Sequence, residues 1–210
     1  MIVRTTEDGS KTVYSEQFKQ YYHSVFGAKT ESEWVYIDLG YFEAIKKFSE
    51  IRILEVGFGT GLNAYLSQKM ADEHQIPTSY IGLEAFPIQP SLFQDLNEEL
   101  QIYHLTQWGQ PHQLSDYFNF EKIEIEVESF ETEQTFHLIY FDAFAPEAQP
   151  ELWTTGIFEK LRKLLVKDGV LTTYCSKVLV QKNLKQAGYK IEKHQGPPHK
   201  REILRAINLG

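Results

Sequence analysis

Three glycines stand at alternate positions, Gly57, Gly59 and Gly61, directly after an apolar run that contains Glu55. Glycine tolerates a positive φ and lets a ligand approach the backbone closely. The following segment, with Asn63 near its start, reads as a helix whose N-terminus offers unpaired N–H groups to a polar or anionic ligand. The pattern therefore predicts a strand, a tight turn and a helix that together bind a nucleotide-type cofactor.

Two further acids end apolar runs later in the chain. Glu84 comes 23 residues after Gly61, where a carboxylate can accept hydrogen bonds from both ribose hydroxyls of an adenosine. Asp142 ends the run 136–142 and is followed by Ala143-Phe144-Ala145-Pro146. The aromatic residue and the proline are expected to shape a rigid loop that carries Asp142 at the carboxyl edge of a sheet.

Strands and helices alternate from residue 51 onward, a pattern that indicates a parallel α/β sheet. The predicted strands are 51–57, 79–85, 123–128, 136–142, 169–174, 189–193 and 201–207, with a turn at 196–199. The predicted helices are 61–74, 90–104, 150–165 and 177–187, and residues 105–121 read as irregular. Ligands bind beyond the carboxyl ends of the strands in open α/β sheets, and the chemically interesting acids lie at such ends.

Residues 1–50 precede the glycine turn and are expected to form a small N-terminal cap over the mouth of the domain 51–210. Residues 12–15 and 33–38 read as short strands. The aromatic stretch 17–24 reads as a helix or a loop, and 41–48 has the spacing of a helix.

Composition places limits on the kind of protein. With 210 residues the chain is one large domain, or one domain with a small appendage. It has no apolar run of about 18 residues, so we expect no membrane span. Its single cysteine, Cys175, fits a reducing compartment and is expected to be an inert core thiol. We therefore expect a cytoplasmic protein. The seven histidines show no metal-ligand spacing, so no metal site is predicted.

Charge is unevenly distributed along the chain. The net charge of −8 argues at first against a nucleic-acid partner. Residues 1–150, however, hold 9 Lys and Arg against 24 Asp and Glu, whereas residues 151–210 hold 12 against 5. Such asymmetry can mark a basic face for a polyanion. A solvated helix face would explain the charge count equally well.

The Gly-x-Gly-x-Gly spacing, with an acid two residues earlier, resembles the first motif of the class I S-adenosylmethionine (SAM)-dependent methyltransferases. That family has a Rossmann-like fold with a seven-stranded, mostly parallel sheet and an antiparallel C-terminal strand. The motif differs from the G-x-G-x-x-G of dinucleotide-binding proteins. The resemblance thus implies that SAM is the cofactor.

Over nearly its whole length the chain resembles the methyltransferase domain of the MnmC family. The matching segments are Tyr14-Ser15-Glu16-x-Phe18, Gly27-Ala28-x-x-Glu31-Ser32, Glu55 to Asn63, Glu84-Ala85-Phe86-Pro87, Asp142 to Pro146, Pro150 to Thr154 and Lys200 to Leu204. The family methylates the primary amine of 5-aminomethyl-(2-thio)uridine at the tRNA wobble position, giving 5-methylaminomethyl-(2-thio)uridine. We therefore expect the same reaction here.

The resemblance also implies roles for individual residues. The residues expected to bind SAM are Glu55, Gly57, Gly59, Gly61, Asn63, Glu84, Glu128 and Asp142. Glu128 would hold the adenine, although the family commonly has Gly-Asp where this chain has Val127-Glu128. Asp142 would position the amine and accept its proton, and Phe144 would act beside it. Phe144, Tyr22 and Trp153 are the candidates for stacking the extruded base, with Trp153 more typical of a core anchor.

tRNA is expected to contact the basic C-terminal segment, since phosphate contacts position a nucleic acid. The candidates in the sequence are Lys177, Lys182, Lys193, Lys200 and Arg201. Bifunctional members of the family carry a second, FAD-dependent domain that makes the amine. Because this chain stops at residue 210, we expect it to methylate alone, with a separate enzyme supplying the aminomethyl precursor.

Three other interpretations remain open from the sequence. A SAM enzyme acting on a small-molecule amine would show the same cofactor residues. An NAD-binding oxidoreductase is disfavoured by the glycine spacing. An interaction module without catalytic activity is disfavoured by the intact Asp142 loop.

Overall fold

The computed structural model describes residues 2–198 and 200–210. The N-terminal part begins with a small antiparallel sheet of three strands, β1 (Ile2–Thr5), β2 (Lys11–Ser15) and β3 (Gln20–Tyr21). A continuous helical segment follows, made of α1 (Ala28–Ser32), a π-helix (Glu33–Tyr41) and α2 (Phe42–Ile45). Strand β2 confirms the prediction at 12–15, and β3 lies in the stretch 17–24 that was expected to be a helix or a loop.

The main sheet has eight strands. They are β4 (Ile51–Val56), β5 (Thr78–Glu84), β6 (His112–Ser115), β7 (Phe118–Glu124), β8 (Phe136–Phe141), β9 (Leu165–Thr173), β10 (Lys190–Gln195) and β11 (Glu202–Ile207). Their order is β10-β11-β9-β8-β4-β5-β7-β6. The five central strands are parallel, while β6, β10 and β11 pair antiparallel with their neighbours. The mostly parallel α/β sheet with an antiparallel C-terminal strand is confirmed, with β6 as an additional edge strand.

Within the described residues, four α-helices connect strands of the main sheet. They are α3 (Leu62–His74), α4 (Glu98–Leu105), α5 (Thr155–Leu164) and α6 (Val178–Gln186). The predicted helices 90–104 and 150–165 are each divided, because the backbone is extended at Leu96 and Thr154. A short 3₁₀ helix precedes each break, Pro90–Asp95 and Pro150–Trp153, with proline at its first position.

The predicted strand at 33–38 is wrong, since these residues lie in the π-helix. Its β-branched and aromatic residues favour a strand locally, but the side chains from Val35 to Ile37 are all buried rather than alternating in and out. Gly40 lets this helix lie directly on the main sheet, because a Cβ there would come within 3.2 Å of Leu138 and Tyr140. Tertiary packing therefore overrides the local propensity.

The third predicted strand, 123–128, is also displaced. The true strand β7 begins at Phe118 and pairs with β5 as far as the Glu84–Glu124 pair. Its inward face consists of Phe118, Phe120 and Lys122, all buried. The alternation of Ile and Glu after residue 122 has the pattern of a strand, which explains the displaced prediction. The stretch 105–121, predicted to be irregular, contains β6 and most of β7.

The core lies on both faces of the main sheet. Neighbouring residues such as Ile53 and Leu54, or Tyr140 and Phe141, belong to different hydrophobic clusters, as expected when successive side chains point to opposite faces. The π-helix packs on one face and α5 with α6 on the other. No helix in this described part of the chain is long and apolar enough to cross a membrane. The predicted turn 196–199 includes His199, which lies outside the described residues.

Candidate active site

The glycine turn joins β4 to α3 as the sequence predicts. Gly57, Gly59 and Gly61 have φ values of 92°, 53° and 80°, in the region that favours glycine. A Cβ on Gly57 would lie 2.6 Å from the carbonyl oxygen of Asp142. The turn therefore brings the carboxyl end of β4 into close contact with the end of β8, as only glycine permits.

Asn63 links two of the predicted acids. Its Nδ2 donates to Glu55 Oε1 at 2.8 Å and to Asp142 Oδ2 at 2.9 Å. Glu55 is fully buried, and burial raises its pKa well above the usual range, with Asp142 nearby adding to the rise. Glu55 Oε2 and Asn63 Oδ1 are buried and have no hydrogen-bond partner among the described residues. The Tyr80 hydroxyl faces the Glu55 carboxyl group from within the protein. An unsatisfied buried acceptor is costly, and Asn63 Oδ1 is the acceptor that a ligand carrying an N–H donor could satisfy.

Glu84 closes the other side of the turn. Its carboxylate accepts hydrogen bonds from the backbone N–H groups of Gly59 and Phe86, both at 2.9 Å. Burial nevertheless raises its pKa above the usual value. A carboxylate has about four lone-pair sites, so acceptor capacity remains for the two hydroxyls of a ribose.

A cavity extends from this turn along the carboxyl edge of the sheet. Its walls are largely apolar, and its lining includes Leu83, Glu84, Phe86, Ile125, Val127, Asp142, Phe144 and Leu152. The apolar walls would suit an adenine ring, with Glu84 placed for its ribose. The shape and lining match those of a small-ligand site.

Glu128 does not end a strand, contrary to the prediction. It lies beyond β7 and is exposed, on the rim of this cavity together with Glu126. Its carbonyl oxygen accepts a hydrogen bond from Lys160 Nζ at 2.7 Å. The displacement of β7 is the reason, because the chain leaves the sheet after Glu124. The adenine role of Glu128 stays a prediction.

Asp142 stands where this cavity meets a second one. Tyr22, Asp142 and Phe144 line both cavities, which makes their junction the place where two ligands could meet. The pKa of Asp142 is raised to about 7, chiefly by burial, with Glu31 also raising it. Contacts with the Tyr36 hydroxyl and the Asn63 amide partly oppose that rise. A carboxyl group with this pKa can exchange a proton near neutral pH.

The loop after Asp142 is held by hydrogen bonds to its backbone. Phe144 N donates to Gln149 Oε1 at 3.0 Å, and Phe144 O accepts from Trp153 Nε1 at 2.8 Å. The Tyr174 hydroxyl donates to Ala143 O at 2.9 Å. Trp153 is 1% exposed; it is a core anchor and cannot stack a base.

Aromatic side chains from the N-terminal part cover the junction of the cavities. The ring of Phe144 stacks on Phe18 at 4.5 Å and meets Tyr22 edge to face at 4.9 Å. Phe18 also contacts Phe86 at 5.3 Å. Tyr22 further approaches the turn so closely that a Cβ on Gly59 would lie 2.8 Å from its ring. Phe144 and Tyr22 therefore remain the candidates for contacting an acceptor base.

The basic candidates lie in different surroundings. Lys200 lines the second cavity and forms an ion pair with Glu31. Arg201 is exposed and lines a neighbouring depression with Trp34. Lys177 pairs with the exposed Glu147, which reduces its free charge. Lys182 is exposed on α6.

Sequence reasoning missed Tyr36, Glu31 and Tyr174 as site residues. Tyr36 was hidden in a segment read as a strand, and its hydroxyl lies beside Asp142 although it is 1% exposed. Glu31 lies in a segment that carries the resemblance, but nothing local indicates its role. Tyr174 ends the fifth predicted strand. Its position at the carboxyl edge of the sheet was the one feature of the sequence that could have marked it as a site residue. In residues 2–198 and 200–210, no group of three or more His, Cys, Asp or Glu could hold a metal ion. Cys175 is a buried free thiol.

Comparisons of sequence agree with this geometry. A family model described as S-adenosyl-L-methionine-dependent methyltransferase matches residues 98–208. The chain is 26% identical, over 93% of its length, to the tRNA 5-methylaminomethyl-2-thiouridine biosynthesis bifunctional protein MnmC of Pseudomonas fluorescens (strain Pf0-1) and covers 33% of it. It is 29% identical to the protein of that name from Leptospira interrogans, with 92% and 33% covered. The chain thus spans about a third of the length of these curated relatives.

Solved structures resemble the fold as well. The crystal structure of MNMC2 from Aquifex aeolicus matches with a TM-score of 0.80 at 25% identity, covering 98% of this chain and 70% of that one. The magnesium protoporphyrin IX methyltransferase ChlM from Synechocystis, solved with bound SAM, matches with a TM-score of 0.53 at 11% identity. That match covers 85% of this chain and 79% of the other, and it supports the fold alone.

Proposed function

Since the chain belongs to the family of S-adenosyl-L-methionine-dependent methyltransferases, we propose that it methylates the primary amine of 5-aminomethyl-(2-thio)uridine at the wobble position of tRNA. The product would be 5-methylaminomethyl-(2-thio)uridine. The names of the relatives MnmC and MNMC2 support this choice of substrate. The amine itself would be supplied by another active site.

One observation supports an amine acceptor above the rest. Asp142, a carboxyl group with a pKa of about 7, stands where the apolar cavity beside the glycine turn meets a second cavity. In our proposal the first cavity holds SAM and the second admits the acceptor. Glu84 lines the first cavity, whereas Glu55 and Asn63 are buried outside its lining and would act through the glycine turn. The unsatisfied oxygen of Asn63 and the close fit at Gly57 are consistent with such a ligand.

The residues of the site suit transfer to nitrogen. SAM supplies an electrophilic methyl group on a sulfonium. The acceptor must be a neutral amine, because a protonated amine has no lone pair to attack with. Asp142 would orient the ammonium through a charge-assisted hydrogen bond and take its proton. Tyr36 and Asn63 would hold the carboxyl group in place, and the covering aromatic residues would exclude water.

The tRNA would lie over the side of the molecule that carries Lys200 and Arg201. Both adjoin the second cavity or the depression next to it, so phosphates flanking the wobble base could reach them. Lys177 and Lys182 would extend this contact. A wobble uridine would enter the second cavity as an extruded base beside Phe144 or Tyr22.

The test is nucleoside mass spectrometry of tRNA that carries the aminomethyl group, after incubation with the protein and SAM. We expect SAM-dependent conversion of the aminomethyl nucleoside to the methylaminomethyl nucleoside. Methylation of free amines with no methylation of tRNA would instead establish the small-molecule alternative.

The same assay tests the role of Asp142. Replacing Asp142 by Ala should reduce turnover by about 10²–10⁴-fold, the usual contribution of a positioned acid–base group. The dissociation constant of SAM, measured by calorimetry, should change little because Glu55, Asn63 and Glu84 remain. Unchanged single-turnover methylation in Asp142→Ala would refute the assignment.

A further inference from the structure

Lys200 is the one residue with a lasting positive charge among the described residues that line the second cavity. The carboxylates in that lining are Asp142 and Glu31. His23 also lines it, but burial lowers the pKa of His23 to about 4, with Glu31 and Asp8 partly opposing the shift. His23 is therefore neutral at pH 7, and its buried Nδ1 has no hydrogen-bond partner in the described part of the chain. This cavity is anionic apart from one ammonium group.

The Lys200 ammonium occupies a defined place. Its Nζ forms an ion pair with Glu31 Oε1 and lies 4.4 Å from the centre of the Tyr174 ring. A carboxylate and an aromatic face both attract an alkylammonium group. Glu31 is itself fixed, since its Oε2 accepts from the backbone N–H of Ser24 at 3.2 Å, and its side chain is 12% exposed.

The Lys200 ammonium also interacts electrostatically with Asp142, the proposed proton acceptor. Lys200 and Glu31 both act electrostatically on Asp142, the first lowering and the second raising its pKa. The end of a lysine side chain is a –CH₂–NH₃⁺ group, which is also the chemistry of a protonated aminomethyl substituent. Lys200 thus places, in the cavity that Asp142 lines, the same –CH₂–NH₃⁺ group that the proposed substrate carries.

We propose that Glu31 and the face of Tyr174 form a binding subsite for the acceptor's primary ammonium group, and that Lys200 fills this subsite in the free protein until the substrate displaces it. This inference rests on the proposed amine acceptor. Glu31 is then a specificity-determining residue that selects a cationic substituent, and it holds the ammonium until Asp142 takes a proton. Once displaced, Lys200 is free to turn toward a phosphate of the same substrate.

The test uses variants that affect the two members of the pair in opposite ways. Glu31→Gln removes the anionic partner, whereas Lys200→Met removes only the competing ammonium. The probe is the nucleoside 5-aminomethyluridine, which carries no phosphate and so leaves the phosphate contacts of Lys200 out of the measurement. Its dissociation constant is measured by calorimetry in the presence of S-adenosylhomocysteine, with 5-methyluridine as the uncharged comparison ligand.

We expect Glu31→Gln to weaken binding of the aminomethyl nucleoside at least tenfold and Lys200→Met to strengthen it at least threefold. Binding of 5-methyluridine should not respond to either change. The matched control is Glu33→Gln, which removes the same charge from the same helical segment at an exposed pair with Lys29 and should have no effect. SAM affinity and the melting temperature, recorded for each variant, identify any variant that has lost its fold.

Equal weakening by Glu31→Gln and Lys200→Met would show that the ion pair only fastens the N-terminal part to the C-terminal segment, and would overturn the proposal. No change in either variant would also overturn it. Transfer to tRNA by the wild-type protein is scored separately. Absence of transfer with intact discrimination between the two nucleosides would refute the proposed reaction and leave the ammonium subsite standing.

Discussion

At the scale of single residues, the site is a set of acids whose charged forms are costly. Glu55, Glu84 and Asp142 all have raised pKa values because of burial. Asn63 donates hydrogen bonds to Glu55 and Asp142. Because its amide is neutral, it does not neutralise their charge as a lysine would. A cationic ligand such as a sulfonium or an ammonium would stabilise the charged forms of these acids.

The raised pKa of Asp142 has a consequence for stability. An unfolded aspartate titrates near its ordinary value, 3.8, and the folded one near 7. Between these values the folded state keeps a proton that the unfolded state releases, so the free energy of unfolding falls as pH rises through this window. Asp142→Asn, which mimics the protonated form, should match the wild type below pH 4 and melt at least about 2 °C higher at pH 8.

Thermal unfolding of both proteins between pH 3.5 and 8 measures this difference. The control is Asp116→Asn, at an exposed position. Its melting temperature should not rise above that of the wild type between pH 4 and 8 as that of Asp142→Asn does. A gap between Asp142→Asn and the wild type that is constant with pH would contradict the raised pKa.

At the scale of elements, the site depends on how the turn after β4 meets the loop after β8. The turn passes so near Asp142 that its first glycine has no room for a side chain. Trp153 and Gln149 fix the opposite loop from α5's side of the sheet. In the proposed reaction these two elements together would set the distance between SAM and the acceptor amine.

Gly57→Ala tests this close approach. An alanine at φ 92° is strained by about 1–2 kcal/mol, and its Cβ would in addition overlap the Asp142 carbonyl. We expect the free energy of unfolding to fall by more than the strain alone and SAM to bind at least tenfold more weakly. Urea unfolding and calorimetry measure the two effects.

Gly109→Ala is the matched control for that variant. Gly109 also has a positive φ, 66°, but a Cβ there meets nothing within 4 Å. In Gly109→Ala the free energy of unfolding should fall by the backbone strain alone, and the affinity for SAM should not change. Equal effects of the two substitutions would mean that the close approach to Asp142 has no role.

At the scale of the whole molecule, charge is separated along the chain. The strongly acidic first 150 residues supply the interior of the site, while the last 60 residues are basic. Several of these bases are already paired, as in Lys193 with Glu202 and Arg205 with Glu192. The free positive charge of this segment is therefore smaller than the charge count indicates.

The double variant Lys182→Ala/Arg201→Ala should weaken tRNA binding and make it less dependent on salt. Removing one phosphate interaction reduces the slope of log K against log salt by about 0.7–0.9. Filter binding between 50 and 200 mM salt measures the slope, and Lys46→Ala, at an exposed position outside the basic segment, should leave it unchanged. If the slope is unaltered in the double variant, tRNA does not contact Lys182 and Arg201 and must bind another face of the protein.

The sequence by itself determined the parts that are contiguous in the chain. The glycine turn, Glu84 and Asp142 were predictable because a strand, a turn and the next element carry their own local signals, and parallel strands bring their carboxyl ends to one edge. Strand β7 and the π-helix were not predictable. Their alternation and propensity are ambiguous locally, and burial against β5 and the sheet decided the outcome.

Only the tertiary structure decided what surrounds Asp142. Tyr36 reaches the end of β8 from 105 residues earlier in the chain, and Glu31 meets Lys200 across 169 residues. Contacts of this kind leave no periodicity or spacing in a single sequence, because each partner is fixed by the packing of its own element. The sequence thus indicated the cofactor and Asp142, the proposed proton acceptor, and the fold brought Glu31, Lys200 and Tyr174 to the same cavity.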